Sequence, residues 1–263
     1  MSVRKLIERQ SAFTLFQPVL GEDHSKQVTA EHLARAALRE VDGDARVLDL
    51  GCGEGDSQDF FKEANVRALW FGVDIDDSSE VRARTREDGN FATFDGVNLP
   101  YRDASFDLVF SRQVLEHVRH PDRLLRDVAR VLKPGGRFVG SVSYLEPYHS
   151  RSIFNFTPYG VMRVFEDAGL DVLELRPGVD GPTLMIRQML MGAKFLEFSF
   201  RRSPLNLSIG LLGRILGLHH QHINFLKLQF AGHVGFSARR PNDSDVPLAK
   251  AVPRSPPRRD NVM

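Results

Sequence analysis

"VLDLGCGEGD", residues 47–56, sets Gly51, Gly53 and Gly55 at alternate positions behind a short apolar run. Such a run reads as a buried strand that breaks into a tight turn before a helix, the place where α/β sheets hold nucleotide-like ligands. Two phosphate-binding patterns fail here. A dinucleotide fingerprint needs a third glycine where Asp56 stands, and no Gly-Lys-Ser/Thr follows to make a phosphate loop. Charge points the same way. Asp49, Glu54 and Asp56 surround the turn, and no Lys or Arg occurs between Arg46 and Lys62. Carboxylates crowded there repel a pyrophosphate and favour a ligand that carries an ammonium or sulfonium.

Outward from the turn, apolar strand candidates alternate with helical patterns. The strands are "RVLDLG", "ALWFGVD" (68–74), "NFATFDG" (90–96), "SFDLVFS" (105–111), "RFVGSVSY" (137–144) and "DVLELRP" (171–177). "VTAEHLARAALREVDGD" reads as a helix with Thr29 at its N-cap and Gly43 at its end, and another runs to about residue 65. "EVRARTRED" reads as a polar helix. "HPDRLLRDVARVLKPGG" starts on Pro121 and is expected to stop at Pro134-Gly135-Gly136, and a further helix spans Pro158 to Ala168. This rhythm predicts a doubly wound α/β fold with a mostly parallel sheet covered on both faces.

The 263 residues suffice for one large α/β domain or two small ones, and 42% hydrophobic with 26% charged residues is ordinary for a globular chain. A formal charge of +1 supplies no basic field for nucleic acid, and a single cysteine fits a reducing, cytoplasmic setting. No signal peptide, membrane span or metal site is expected. Residues 181–228 are apolar but broken by Lys194, Arg201, Arg202 and Arg214. They read either as a helical cap or dimer surface, or as a peripheral membrane element on anionic headgroups. The polar, proline-rich residues 241–263 are expected to be disordered.

"VLDLGCGEGD" resembles motif I of class I S-adenosylmethionine-dependent methyltransferases. The resemblance continues in order through Asp74 in "FGVDID", Asp95 in "ATFDG", "LPYRDASFDLVFSRQVLEHV", "LLRDVARVLKPGGRFVGSVS" and a last strand in "FAGHVGFSARRP". It is similar to the small-molecule subgroup with the "LEHV...LKPGG" pattern. The resemblance implies a seven-stranded Rossmann-like sheet with a helical insertion before the last strand. N-terminal helices (1–44) cover the cofactor site, followed by the core (45–180), the insertion (181–228), the final strand (229–240) and the tail (241–263).

It also implies S-adenosyl-L-methionine as cofactor. Gly51 and Gly53 let the backbone approach its amino-acid part, Asp49 orients the ammonium, and Asp74 accepts both ribose hydroxyls. Asp95 accepts from the adenine amino group with Gly96 leaving room. Ile75 and Cys52 complete the pocket, Cys52 as a small filler. Ser111, Arg112 and Gln113 border the methionine moiety. A nucleophile would attack the methyl in line, with His149 or His117 as the candidate general base and Tyr144, Glu146 and Tyr148 shaping the acceptor pocket. The stretch 144–178 resembles methyltransferases encoded with polysaccharide and glycolipid assembly enzymes, which implies O-methylation of a small-molecule, sugar or lipid-linked acceptor by a monomer or homodimer. A nicotinamide-dependent oxidoreductase stays open because Asp74 lies about 20 residues past the turn, where a ribose-binding acid sits. So does a non-catalytic methyltransferase-like partner subunit.

Overall fold

The computed structural model describes residues 2–41, 43–148, 150–192, 194–242 and 244. Six strands run parallel: β1 (Arg46–Leu50), β2 (Leu69–Ile75), β3 (Asn90–Phe94), β4 (Phe106–Arg112), β5 (Leu132–Ser143) and β6 (Asp171–Pro177). β7 (His233–Arg239) inserts antiparallel between β5 and β6, giving the order β3-β2-β1-β4-β5-β7-β6. The helices are α1 (Val3–Glu8), α2 (Ser11–Phe16), α3 (Ala30–Leu38), α4 (Ser57–Ala64) and α5 (Ser79–Ala83). They continue as α6 (Pro121–Val131), α7 (Pro158–Asp167), α8 (Gly181–Met189), α9 (Pro204–Ile215) and α10 (His220–Leu228).

Both faces of the sheet are covered, which is why its strands read as nearly unbroken apolar runs. Leu33, Ala34 and Ala37 of α3 and Phe61 of α4 join Val47, Leu108, Phe110 and Val139 in one core. Leu124 and Val128 of α6, Phe165 of α7 and Phe225 of α10 join Leu48, Val109, Phe138 and Phe236 in the other. From β1 the chain winds outward to β2 and β3, then crosses to β4 on β1's other side. The turns after β1 and β4 therefore diverge, and the cleft between them is where doubly wound sheets bind ligands.

The β4–β5 pairing leaves no room for error beside that cleft. Ser111 lies opposite Gly140, and a Cβ at Gly140 would sit 1.8 Å from the Ser111 carbonyl oxygen.

Several local expectations are corrected. The polar helix after β2 is only five residues long, because Arg84 leaves it and donates from Nε to the Gly53 carbonyl at 2.9 Å, its guanidinium 4.0 Å from the Phe91 ring centroid. α6 ends at Val131, before the Pro-Gly-Gly, because Leu132 already pairs with Phe106 as the irregular start of β5. α3 stops at Leu38, and Thr29 stands at its N-cap without a side-chain bond to the helix backbone. α1 and α2 do not cover the cleft. Their apolar residues find α10 instead: Phe13 stacks on His222 at 5.0 Å and meets Phe225 edge-on. Of the 1–44 region it is α3 that reaches the cleft, through Glu31. The tail expected to be disordered lies, except for residues 241, 242 and 244, outside the described residues.

Gly140→Ala is expected to cost about 2–3 kcal/mol or more, since the extra methyl meets backbone rather than a flexible side chain. Urea melts of the variant check it, and an unchanged midpoint would show that β4 and β5 can separate locally.

Candidate active site

At the end of β1 the chain can turn tightly because Gly51, Gly53 and Gly55 take left-handed φ values of +72°, +50° and +89°. A Cβ at Gly51 would lie 2.4 Å from Val114 Cγ2, so the turn also needs glycine for space. Asp49 sits beneath it, 4% exposed. The Ser57 hydroxyl donates to Asp49 Oδ2, and the Trp70 indole N–H donates to Ser57 Oγ at 3.0 Å. Among the described residues no Lys or Arg nitrogen pairs with Asp49. Burial pushes its carboxyl up to about 7, against the Ser57 bond, which favours the charged form.

Asp49, Gly51, Cys52, Gly53, Glu54, Asp56, Ser57, Glu80, Phe110 and Arg112 line the cleft. The tertiary fold brings basic groups that the local sequence lacks, but both are engaged. Arg84 donates to the Gly53 carbonyl, and Arg112 Nη1 pairs with Glu31 Oε1 at 2.7 Å. The cleft stays acidic. The Cys52 thiol is buried and pushed up to about 12, mainly by burial, so it is a filler and not a nucleophile.

Asp74 closes the turn from β2. Its Oδ2 accepts from the Gly53 N–H at 2.7 Å and its Oδ1 from the Ile75 N–H at 2.7 Å. Each oxygen keeps a second lone pair for a ligand hydroxyl. Burial raises its pKa, opposed by those two N–H donors. Asp95 and Gly96 lie beyond β3 beside Ile75; a Cβ at Gly96 would lie 3.7 Å from Ile75 Cγ2. Asp95 is exposed and holds its own turn, accepting from the Val97 and Asn98 N–H groups and from Asn98 Nδ2. These bonds lower its pKa. The same local cap accounts for its presence without a ligand.

Ser111 does not border the cleft. It is fully buried between β1 and β5, and its hydroxyl has no hydrogen-bond partner among the described residues. Gln113 takes φ +56°, rare for a residue with a Cβ, and so turns its side chain back from the strand end. Its amide spans Ser141 Oγ (3.0 Å) and Ser143 Oγ (2.7 Å).

Ser143 is the centre of a cluster that sequence reading missed. Its hydroxyl lies within reach of Gln113 Oε1, Glu116 Oε1 (2.8 Å) and Glu146 Oε2. One hydroxyl proton cannot serve three acceptors, so at least one carboxyl carries a proton and donates to Ser143. Glu116 is fully buried and its pKa is raised, chiefly by burial, which favours its protonated form. The His233 Nε2 lies 3.0 Å from Glu146 Oε2, and the Phe200 ring stacks on His233. "LEHV" drew attention to His117, while its neighbour Glu116 and the His of "FAGHV" carried the signal for this cluster. His117 ends a short helical turn (Leu115–His117) after β4 and is not among the residues that line the cleft. His149 lies outside the described residues.

A carboxyl whose folded pKa is raised stabilises the fold below its ordinary pKa and loses that contribution as pH rises to the folded value. The stability of the ligand-free protein is therefore expected to fall, by on the order of a few kcal/mol, between about pH 4 and about pH 7 on account of Asp49. Urea melts of the wild type against Asp49→Asn across that range check it. Parallel curves would show that Asp49 ionises normally in the folded chain.

Residues 48–140 match the family model described as "Methyltransferase domain". A probable S-adenosylmethionine-dependent methyltransferase of Mycolicibacterium smegmatis is 31% identical over 160 residues, 50% of this chain and 60% of that protein. The 27-O-demethylrifamycin SV methyltransferase of Amycolatopsis mediterranei is 39% identical over 101 residues, 35% of this chain and 36% of that protein. The chain thus spans 60% or less of the length of these curated relatives. The solved structure of the cyclase SpnF superposes with a TM-score of 0.53 over 92% of this chain and 97% of its own, and at 17% identity it shows the fold alone. A buried carboxylate awaiting a cation, beneath glycines that admit close backbone approach, fits the ammonium of the amino-acid part of the cofactor. Residues 48–140 are thus a methyltransferase domain, similar to that of S-adenosylmethionine-dependent methyltransferases, whose cofactor is S-adenosyl-L-methionine.

Proposed function

We propose that the protein methylates a small-molecule acceptor, at a hydroxyl of a sugar- or glycolipid-type molecule. The observation that carries the cofactor side is Asp49: a carboxylate buried without a cation, at the C-terminal end of a parallel strand, is offset by a ligand's positive charge and not by a pyrophosphate. When bound, S-adenosyl-L-methionine supplies an electrophilic methyl on a good leaving group. The chain's part is then to bind, orient and manage a proton. Asp49 holds the ammonium, the Gly51–Gly53 backbone takes the amino-acid part, and Asp74 accepts from the ribose. Ile75, Asp95 and Gly96 flank the adenine.

A hydroxyl acceptor must lose its proton. Among the described histidines we assign that role to His233, whose Nε2 lies 3.0 Å from Glu146 Oε2. The Ser143 hydroxyl links that pair to Glu116 and to Gln113, which follows the cleft residue Arg112. Tyr144 and Tyr148, beyond β5, offer the aromatic faces that suit a sugar ring.

Calorimetry tests the cofactor directly. Micromolar binding of S-adenosylmethionine is expected, weakened about tenfold or more by Asp74→Ala; binding of NAD in its place would overturn the reading. Labelled methyl transfer to fractionated lysate then finds the acceptor. On that acceptor, His233→Gln is expected to lower turnover about a hundredfold. Unchanged turnover would assign the proton to another group.

A further inference from the structure

α9 is built inside out. Its buried residues are Asn206, Gly210 and Gly213, while Leu207, Leu211, Leu212 and Ile215 face outward, Leu211 at 60% and Ile215 at 71% exposure. A helix that packs on a domain turns its apolar stripe inward. Here the inward side is small and polar for specific reasons. Asn206 Nδ2 donates to Gln27 Oε1 (2.8 Å) and to the Gly178 carbonyl (2.9 Å), and Gly213 lies so close to Ile223 that a Cβ would be 2.6 Å from it. The orientation is thus pinned by buried hydrogen bonds and close packing, and the leucine face has no counterpart among the described residues. Ser208, the polar residue within that face, donates its hydroxyl back to the Pro204 carbonyl at 3.0 Å.

Charge frames the same surface. Lys194, Arg201, Arg202 and Arg214 are exposed around it, and Glu197 is the one acidic residue between 181 and 228. The apolar surface extends to Met189 at the end of α8, 81% exposed. We infer that this face of α8, α9 and the Lys194–Phe200 turn seats on an anionic lipid surface, with the leucines in the acyl boundary and the arginines at the headgroups. A second copy of the chain is the poorer occupant, since a two-fold interface would set these like charges against one another. The surface adjoins the acceptor side: Phe200, at the end of the turn, is the ring stacked on His233. An acceptor with a lipid anchor would then present its polar head to the cleft from the membrane plane, which deepens the acceptor class proposed above. The docking itself is measured without cofactor or acceptor, so it stands or fails apart from methyl transfer.

Flotation of the full chain with vesicles tests it. Phosphatidylcholine and phosphatidylglycerol in equal parts are compared with phosphatidylcholine alone, alongside sedimentation velocity of the free protein. The expected result is co-flotation with the anionic vesicles, weakened by salt. Leu211→Ser with Ile215→Ser, and separately Arg201→Glu with Arg202→Glu, should each lower the bound fraction about tenfold while leaving the thermal midpoint unchanged. A chain that floats with neither vesicle, or variants that float like the wild type, would overturn the inference. So would a dimer that the Leu211→Ser, Ile215→Ser protein cannot form.

Discussion

Asp49 ends the buried run of β1 and begins the site, and its burial makes everything around it answer to one charge. The Ser57 hydroxyl donates to the carboxylate and is itself held by the Trp70 indole, yet neither neutralises it. The glycine turn above leaves the backbone bare on the open side. A ligand that brings its own positive charge completes this arrangement; one that brings phosphates does not. The arginines that the fold delivers nearby do not reverse this, because each is held by a neighbour, Arg84 by the Gly53 carbonyl and Arg112 by Glu31.

A second, buried cluster is organised around a shortage of protons. Ser143 faces three oxygens with one hydrogen, and the buried Glu116 makes up the difference. Four separate elements meet there: the turn after β4, the end of β5, the loop that follows it, and the start of β7. β7 runs antiparallel, so its first residue, His233, arrives at the same end of the sheet as the C-termini of the parallel strands. The insertion between β6 and β7 reaches the cluster as well, through Phe200.

Most of the strands and the acidic glycine turn after β1 were legible in the chain, because both rest on local signals. Apolar runs of strand length, glycines behind one of them, and acids at strand ends need only nearest-neighbour reasoning. Where the reading slipped, a long-range contact had overruled a local preference. Arg84 cut the polar helix short to reach Gly53, and Leu132 joined β4 before the Pro-Gly-Gly could act as a stop. Ser111 lost its place at the cleft because its side chain points into the sheet rather than beyond it. α2 packs on α10, where Phe13 stacks on His222, a contact across some two hundred residues.

The sequence by itself determined the doubly wound sheet, the turn after β1 and its preference for a cationic ligand, since strand burial, glycine φ and carboxylate charge are properties of short stretches. Only the tertiary structure decided that Glu116, Ser143, Glu146 and His233 form one proton-sharing cluster, and that the leucines of α9 face outward. Both depend on residues far apart in the chain meeting in space: Gln27 with Asn206, and Glu146 with His233. No local periodicity encodes which of two faces a helix will bury once buried hydrogen bonds compete with apolar area.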